Sequence, residues 1–121
     1  TTSGPLDVNL LCRPTEIAQV LVNLLNNSYD SIVESEKPWI KIDLARQNES
    51  FEIRVTDSGP GIPANVAQNI FQPFFTTKVA GKGTGLGLSI SKGIAEQHNG
   101  TFYLDTNSPN TSFVLTLPVA P

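Results

Sequence analysis

Two glycine-rich segments constrain this chain most: DSGPGI, from Asp57 to Ile62, and GKGTGLGL, from Gly81 to Leu88. Between them lies FQPFFTTK, Phe71 to Lys78. A residue without Cβ lets the backbone approach a ligand closely. Successive free N–H groups running into a helix start form an anion site. Two such segments flanking an irregular stretch, with a carboxylate on the first, point to a nucleotide pocket with a lid.

The elements around them read from periodicity. Residues 6–12 are a short strand. Pro14 suits the first position of a helix, and Glu16 can reach back toward its start and complement the dipole. Ile17, Val20, Leu21, Leu24, Leu25 and Ile32 recur at helical spacing, and the helix is expected to end at Glu34 to Glu36. Residues 39–45 and 51–57 alternate as strands around a turn at 47–50, which predicts a hairpin. Ile62-Pro63 opens a short helix to about Ile70. Residues 71–82 are irregular, and 84–98 are helical. Gly93 inside that helix lowers its propensity, so close packing is expected to require it. Residues 101–105 and 112–117 form the last two strands. The order lacks regular βαβ alternation. It predicts an α/β (α+β) two-layer sandwich, a mixed and largely antiparallel sheet with about three helices on one face.

Bulk properties narrow the function classes. The 121 residues make one domain, 1–121, with enough apolar content for a single core. Eight Lys+Arg against eleven Asp+Glu leave a net charge of −3, which disfavours nucleic acid as a partner. The single cysteine, Cys12, excludes an internal disulfide and reads as a core thiol. No apolar run reaches the length of a membrane span. The chain has no Met, so it is expected to be a fragment of a longer protein.

Several polar residues could carry chemistry. On a helical wheel Glu16, Asn23, Asn27 and Asp30 fall within about 60° of one another, at the edge of the apolar face. They can line a cleft, where an Asn oxygen suits Mg²⁺ beside phosphate and water; they can equally be solvated helix residues. Period-two alternation puts Asp57 on the same face as Phe51, Ile53 and Val55, so its carboxylate points inward. It can accept from the amine of adenine, or it can cap the turn that follows. Gly59 and Gly61 beyond it leave a flat backbone wall. The segment from Gly81 matches neither the P-loop nor the dinucleotide fingerprint. It reads either as a phosphate-facing turn into a helix or as a flexible surface loop. Lys78 and Lys82 are the only cations between Arg54 and Lys92, and either could meet a terminal phosphate. His98, the only histidine, precedes the helix-stop signal Asn99-Gly100 and reads as a donor to helix carbonyls.

Together these segments resemble the catalytic, ATP-binding domain of bacterial sensor histidine kinases, in the superfamily shared with gyrase B, heat-shock chaperone and mismatch-repair ATPases. Residues 16–32 look like the N box, 57–62 the first glycine box, 71–75 the F box and 83–90 the second glycine box. The wording PFFTTK and GTGLGLSI is most similar to the nitrogen-regulation and dicarboxylate-sensing group. The resemblance implies the Bergerat fold, ATP and Mg²⁺ as cofactors, and a cytoplasmic domain without membrane contact. It implies Asn27 as metal ligand and Asn23 as a helper at metal or phosphate. Asp57 would accept from adenine, with Gly59, Gly61, Ile62 and Thr111 around the base. Residues 71–82 would form an ATP lid carrying Phe74, Thr77, Lys78 and Lys82. Gly83, Thr84, Gly85, Leu86, Gly87 and Leu88 would bind phosphates, with Lys78 at the terminal one. The partners implied are a histidine-bearing dimerisation domain of the same parent and a response regulator.

The sequence departs from the family at two places. Asn110 stands where the family often has Gly before the threonine. Arg13 stands at the usual Asp N-cap, so the helix start must be satisfied otherwise. In related hydrolysing ATPases a glutamate sits four residues before the metal-binding Asn. Here that position is Asn23, which cannot act as a base, so slow hydrolysis is expected. Rival readings are an anti-sigma-factor serine kinase and a non-catalytic interaction module that kept the fold.

Overall fold

The computed structural model describes residues 13–47, 49–67, 69–71 and 87–119. The strand expected at 6–12, most of the proposed lid and the first half of the second glycine segment lie outside them. Helix α1 spans Pro14–Ile32, and a hairpin of β1 (Ile40–Gln47) and β2 (Ser50–Asp57) follows. Next come a four-residue α2 (Ala64–Ala67), α3 (Gly87–Gln97), β3 (Thr101–Leu104) and β4 (Ser112–Pro118). The four strands form one sheet in the order β1-β2-β4-β3, and all three described ladders are antiparallel. Helices α1 and α3 lean on each other, α1 over β2 and α3 over β3 and β4.

Alternation in β2 is strict. Phe51, Ile53, Val55 and Asp57 are buried while the residues between them are half-buried. Ile17, Val20 and Leu24 of α1 and Ile94 and Ala95 of α3 cover these side chains together with Phe113, Leu115 and Leu117 of β4. Phe102 and Phe113 stack at 5.8 Å, and Phe71 meets both edge-on at 5.7 and 6.4 Å. The Lys92 ammonium lies 4.7 Å from the Phe71 ring centre. Such aromatic contacts add about 0.5–1.5 kcal/mol each beyond area burial, and they hold Phe71 against the core.

The helix ends differ from expectation in informative ways. Helix α1 stops at Ile32 and not at 34–36; its buried stripe ends there, and Ser35 N–H turns back to the Ile32 carbonyl. The short helix is confined to Ala64–Ala67, and the chain then turns to bury Ile70. At the start of α1, Arg13 makes no side-chain cap. Pro14 has no N–H to satisfy, and the Arg13 carbonyl accepts from both Glu16 and Ile17. Arg13's own N–H donates to Nε2 of His98 at 3.0 Å, while Nδ1 of that ring lies 2.8 Å from the Ile94 carbonyl. An amide can only donate and a carbonyl can only accept, so the proton sits on Nδ1. The histidine does act as the expected donor, and it also ties the start of α1 to the end of α3. Helix α3 ends in a Schellman motif: Asn99 takes φ 60°, and the N–H groups of Asn99 and Gly100 bond Glu96 and Ala95.

Gly93 overturns one expectation. Among the described residues a Cβ built there meets nothing within 4 Å, so packing against them does not require glycine. At Gly100 a Cβ would collide with the Thr116 carbonyl oxygen. Gly93→Ala is therefore expected to stabilise the domain by about 0.5–1 kcal/mol through helix propensity. Gly100→Ala is expected to destabilise it by more than that. Urea midpoints of the two variants against the parent chain check both signs.

Candidate functional site

The site is built where the C-terminal end of β2 meets the loop between β3 and β4. Asp57 is fully buried, on the core face where alternation places it. Its Oδ1 accepts the Gly59 N–H at 2.7 Å, so it caps the turn as one reading expected. Its Oδ2 is buried and has no hydrogen-bond partner among the described residues. A carboxylate oxygen buried without a donor is unfavourable. Burial accordingly raises the Asp57 pKa, opposed by the Gly59 amide and by the hydroxyl of Ser28, which makes no bond of normal geometry to Oδ2.

The glycine turn is held from both sides. Ser58 exchanges bonds with Trp39: its N–H reaches the Trp39 carbonyl at 3.0 Å, and its Oγ accepts the Trp39 N–H at 3.2 Å. Across the turn the Asp57 N–H donates to the Thr111 carbonyl at 2.9 Å, and the Thr111 N–H donates to the Gly59 carbonyl at 3.3 Å. A Cβ on Gly59 would lie 2.7 Å from Asp57 Oδ1 and 3.2 Å from Thr111 Oγ1, so glycine is required there. Gly61 adopts φ +90°, a conformation natural to glycine. The structure thus brings Asp57, Gly59 and Thr111 together, with Gly61 and Ile62 on the continuing turn. Ile62 packs half-buried on the core's edge, as does Leu88 from α3.

Helix α1 supplies the second wall. Asn23 and Asn27 are half-buried, one turn apart. The Asn23 amide donates to the Gly87 carbonyl at 3.5 Å and to Ser91 Oγ at 3.4 Å, both long bonds. Asn23 therefore faces the start of α3, where the second glycine segment enters the helix. Among the described residues no group of three His, Cys, Asp or Glu could hold a metal ion. A cation at Asn27 would have one protein oxygen, a donor set that fits Mg²⁺ only if phosphate and water complete it. Phe74, Thr77, Lys78, Lys82, Gly83, Thr84, Gly85 and Leu86 lie outside the described residues.

Sequence reasoning missed two residues. Ser28 continues the buried arc of α1 four positions after Leu24, and a hydroxyl there is a polar group on an apolar face; that was its signal. Asn110 donates its side-chain Nδ2 to the Gly59 carbonyl at 3.0 Å. No periodicity could have located it, because its partner lies 51 residues away.

The strain at Asp57 is testable without ligand. A carboxyl with raised folded pKa contributes stability that is complete below its unfolded value and lost as pH rises through its folded value. Asp57→Asn is therefore expected to melt higher than the parent at neutral pH. The gap is expected to shrink as pH falls toward 3.8, the ordinary aspartate value. Melting curves of both chains between pH 4 and 8 measure it, and a gap independent of pH would refute the assignment.

Comparison with known proteins places this geometry. Residues 12–121 match the family described as histidine kinase-, DNA gyrase B- and HSP90-like ATPases. The sensor protein FixL of Bradyrhizobium diazoefficiens is 37% identical over 92% of this chain and 22% of its own length. The C4-dicarboxylate transport sensor DctB of Rhizobium meliloti is 38% identical over 96% of this chain and 18% of its own. The sensory histidine kinase/phosphatase NtrB of Rhodobacter capsulatus is 35% identical over 88% and 32%. The chain thus spans about a fifth to a third of these relatives. The nucleotide-free catalytic domain of the histidine kinase ThkA superposes with a TM-score of 0.84 at 34% identity, covering 99% of this chain and 78% of that one. With that fold, that sheet order and a buried aspartate at its glycine turn, the chain belongs to the histidine kinase-, gyrase B- and HSP90-like ATPase family, as a catalytic domain of the sensor histidine kinase type.

Proposed function

We propose that this domain binds ATP with Mg²⁺ and passes the terminal phosphoryl group to a histidine on a separate dimerisation domain of its parent, from which an aspartate of a response regulator is served. The observation that carries the reading is the buried Oδ2 of Asp57, without a partner beside a glycine turn. The exocyclic amine of adenine is the donor that this oxygen lacks. Gly59, Gly61, Ile62 and Thr111 would wall the base, with Asn27 at the metal. Phe74, Thr77, Lys78, Lys82, Gly83, Thr84, Gly85, Leu86, Gly87 and Leu88 would serve the lid and the phosphates, on the strength of the sequence resemblance.

In the transfer the bond between the β-phosphate oxygen and the γ-phosphorus breaks, a histidine nitrogen–phosphorus bond forms, and ADP leaves. Such chemistry rests on positioning and charge stabilisation. Asn23 lacks a basic oxygen, so activation of water for hydrolysis is not supported. His98 is a poor acceptor: it is 8% exposed and both ring nitrogens are engaged. No helix among the described residues is long and apolar enough to cross a membrane, and a cytoplasmic site of action fits a kinase that uses ATP.

ADP with Mg²⁺ is expected to raise the melting temperature, by the equivalent of about 2.7 kcal/mol at a hundredfold excess over Kd. Mg²⁺ alone is expected to do nothing, since Asn27 offers it one oxygen. Asp57→Ala is expected to remove the ADP response. No shift at millimolar nucleotide would favour the non-catalytic interaction module. Incubation of this chain alone with γ-labelled ATP is expected to leave it unlabelled; strong labelling would sink the separate-acceptor reading.

A further inference from the structure

The Gly59 carbonyl accepts two bonds from the β3–β4 loop: the Thr111 N–H at 3.3 Å and the Asn110 Nδ2 at 3.0 Å. The same residue's N–H donates to Asp57 Oδ1 at 2.7 Å. That carbonyl and the residue's own N–H belong to the two peptide units that meet at the Gly59 Cα, so once the carbonyl is fixed only the φ and ψ rotations about that Cα are left to aim the amide. Asn110 is itself braced, its N–H donating to Ser108 Oγ at 3.2 Å. The result is a chain of contacts from Ser108 through Asn110 and Gly59 to one oxygen of Asp57. The other oxygen is left without a partner.

We propose that Asn110 is a positioning residue for base recognition. By anchoring the Gly59 carbonyl it holds Oδ1 of Asp57 on the Gly59 amide, and so presents Oδ2 to a 6-amino group of a purine. The inference rests on the adenine-binding reading and assigns its selectivity to a residue that touches no base. Without the Asn110 donor, the longer Thr111 bond is the one described partner left on the Gly59 carbonyl. The turn can then rotate, and the carboxylate can share both oxygens with the Gly59 amide. Inosine triphosphate carries a 6-oxo group in place of the amine, so Asp57 offers it no matching bond, and its affinity should be insensitive to this alignment.

The experiment is a set of four chains of 121 residues: parent, Asn110→Ala, Asp57→Asn and the double variant. Each is titrated with ATP and with inosine triphosphate in the presence of Mg²⁺. Asn110→Ala is expected to weaken ATP about three- to tenfold, the loss of one aligned hydrogen bond. Inosine triphosphate should change less than twofold, so the ratio of the two affinities falls. In the Asp57→Asn background the Asn110 substitution should be silent toward ATP, since coupled residues are non-additive. Equal weakening of both nucleotides would show a loop that merely holds its shape, and would overturn the proposal. So would an Asn110→Ala chain that binds ATP as the parent does. A parent chain that binds neither nucleotide would overturn the adenine reading and this inference with it.

Discussion

A buried carboxylate with only one oxygen satisfied organises this domain. Asp57 closes the core-facing row of β2, so the same alternation that buries Phe51, Ile53 and Val55 carries a charge to the sheet's end. An isolated charge there would be strongly unfavourable. The fold answers with a glycine amide on one side and a serine hydroxyl beneath, and it leaves the second oxygen without a donor. An acceptor buried without a donor costs stability, and on the proposed function a ligand that brings a donor would recover it. That is the usual relation between strain and recognition at functional sites.

Everything near Asp57 serves to keep the turn still. Trp39 and Ser58 tie it to the start of the β1–β2 hairpin, and Thr111 and Asn110 tie it to the strand on the other side of β2. Below that loop the Arg54 guanidinium reaches Asp105 at 2.7 Å and Ser112 at 3.1 Å, on the sheet face away from the helices. The ion pair holds Asp105 below the ordinary aspartate range, chiefly through its hydrogen bond to Arg54. Its side chains remain partly exposed, so its value lies in fixing the loop's exit from β3 more than in stability. The start and the middle of α1 are tied to the two ends of α3, by His98 on the Arg13 amide and by Asn23 on Gly87 and Ser91. Hence the polar edge of α1 faces the point where the second glycine segment becomes a helix.

Much of this was legible in the chain. Helical spacing from Ile17 found α1, alternation found the hairpin and the inward Asp57, and Asn99-Gly100 marked the end of α3. Each of these depends on neighbours within a few residues, where geometry repeats. The errors arose where a residue's meaning depends on distant chain. Gly93 was expected to be a packing glycine, but among the described residues nothing comes within 4 Å of its missing Cβ. Arg13 makes no side-chain cap, as its position implied, but that a histidine from the other end of the domain takes its amide was not legible.

The sequence by itself determined the long helix, the hairpin, the family and the inward-facing Asp57 at the glycine turn, because local periodicity and contiguous motifs encode them. Only the tertiary structure decided that Asp57 is both a turn cap and a free acceptor, one oxygen for each role. It also decided that Ser28 lies beside Asp57, that Asn110 bonds the Gly59 carbonyl and that His98 is a structural tie. The reason is physical: a hydrogen bond is settled by where two groups meet in space, and these partners meet only after the sheet has paired and α1 has packed onto it.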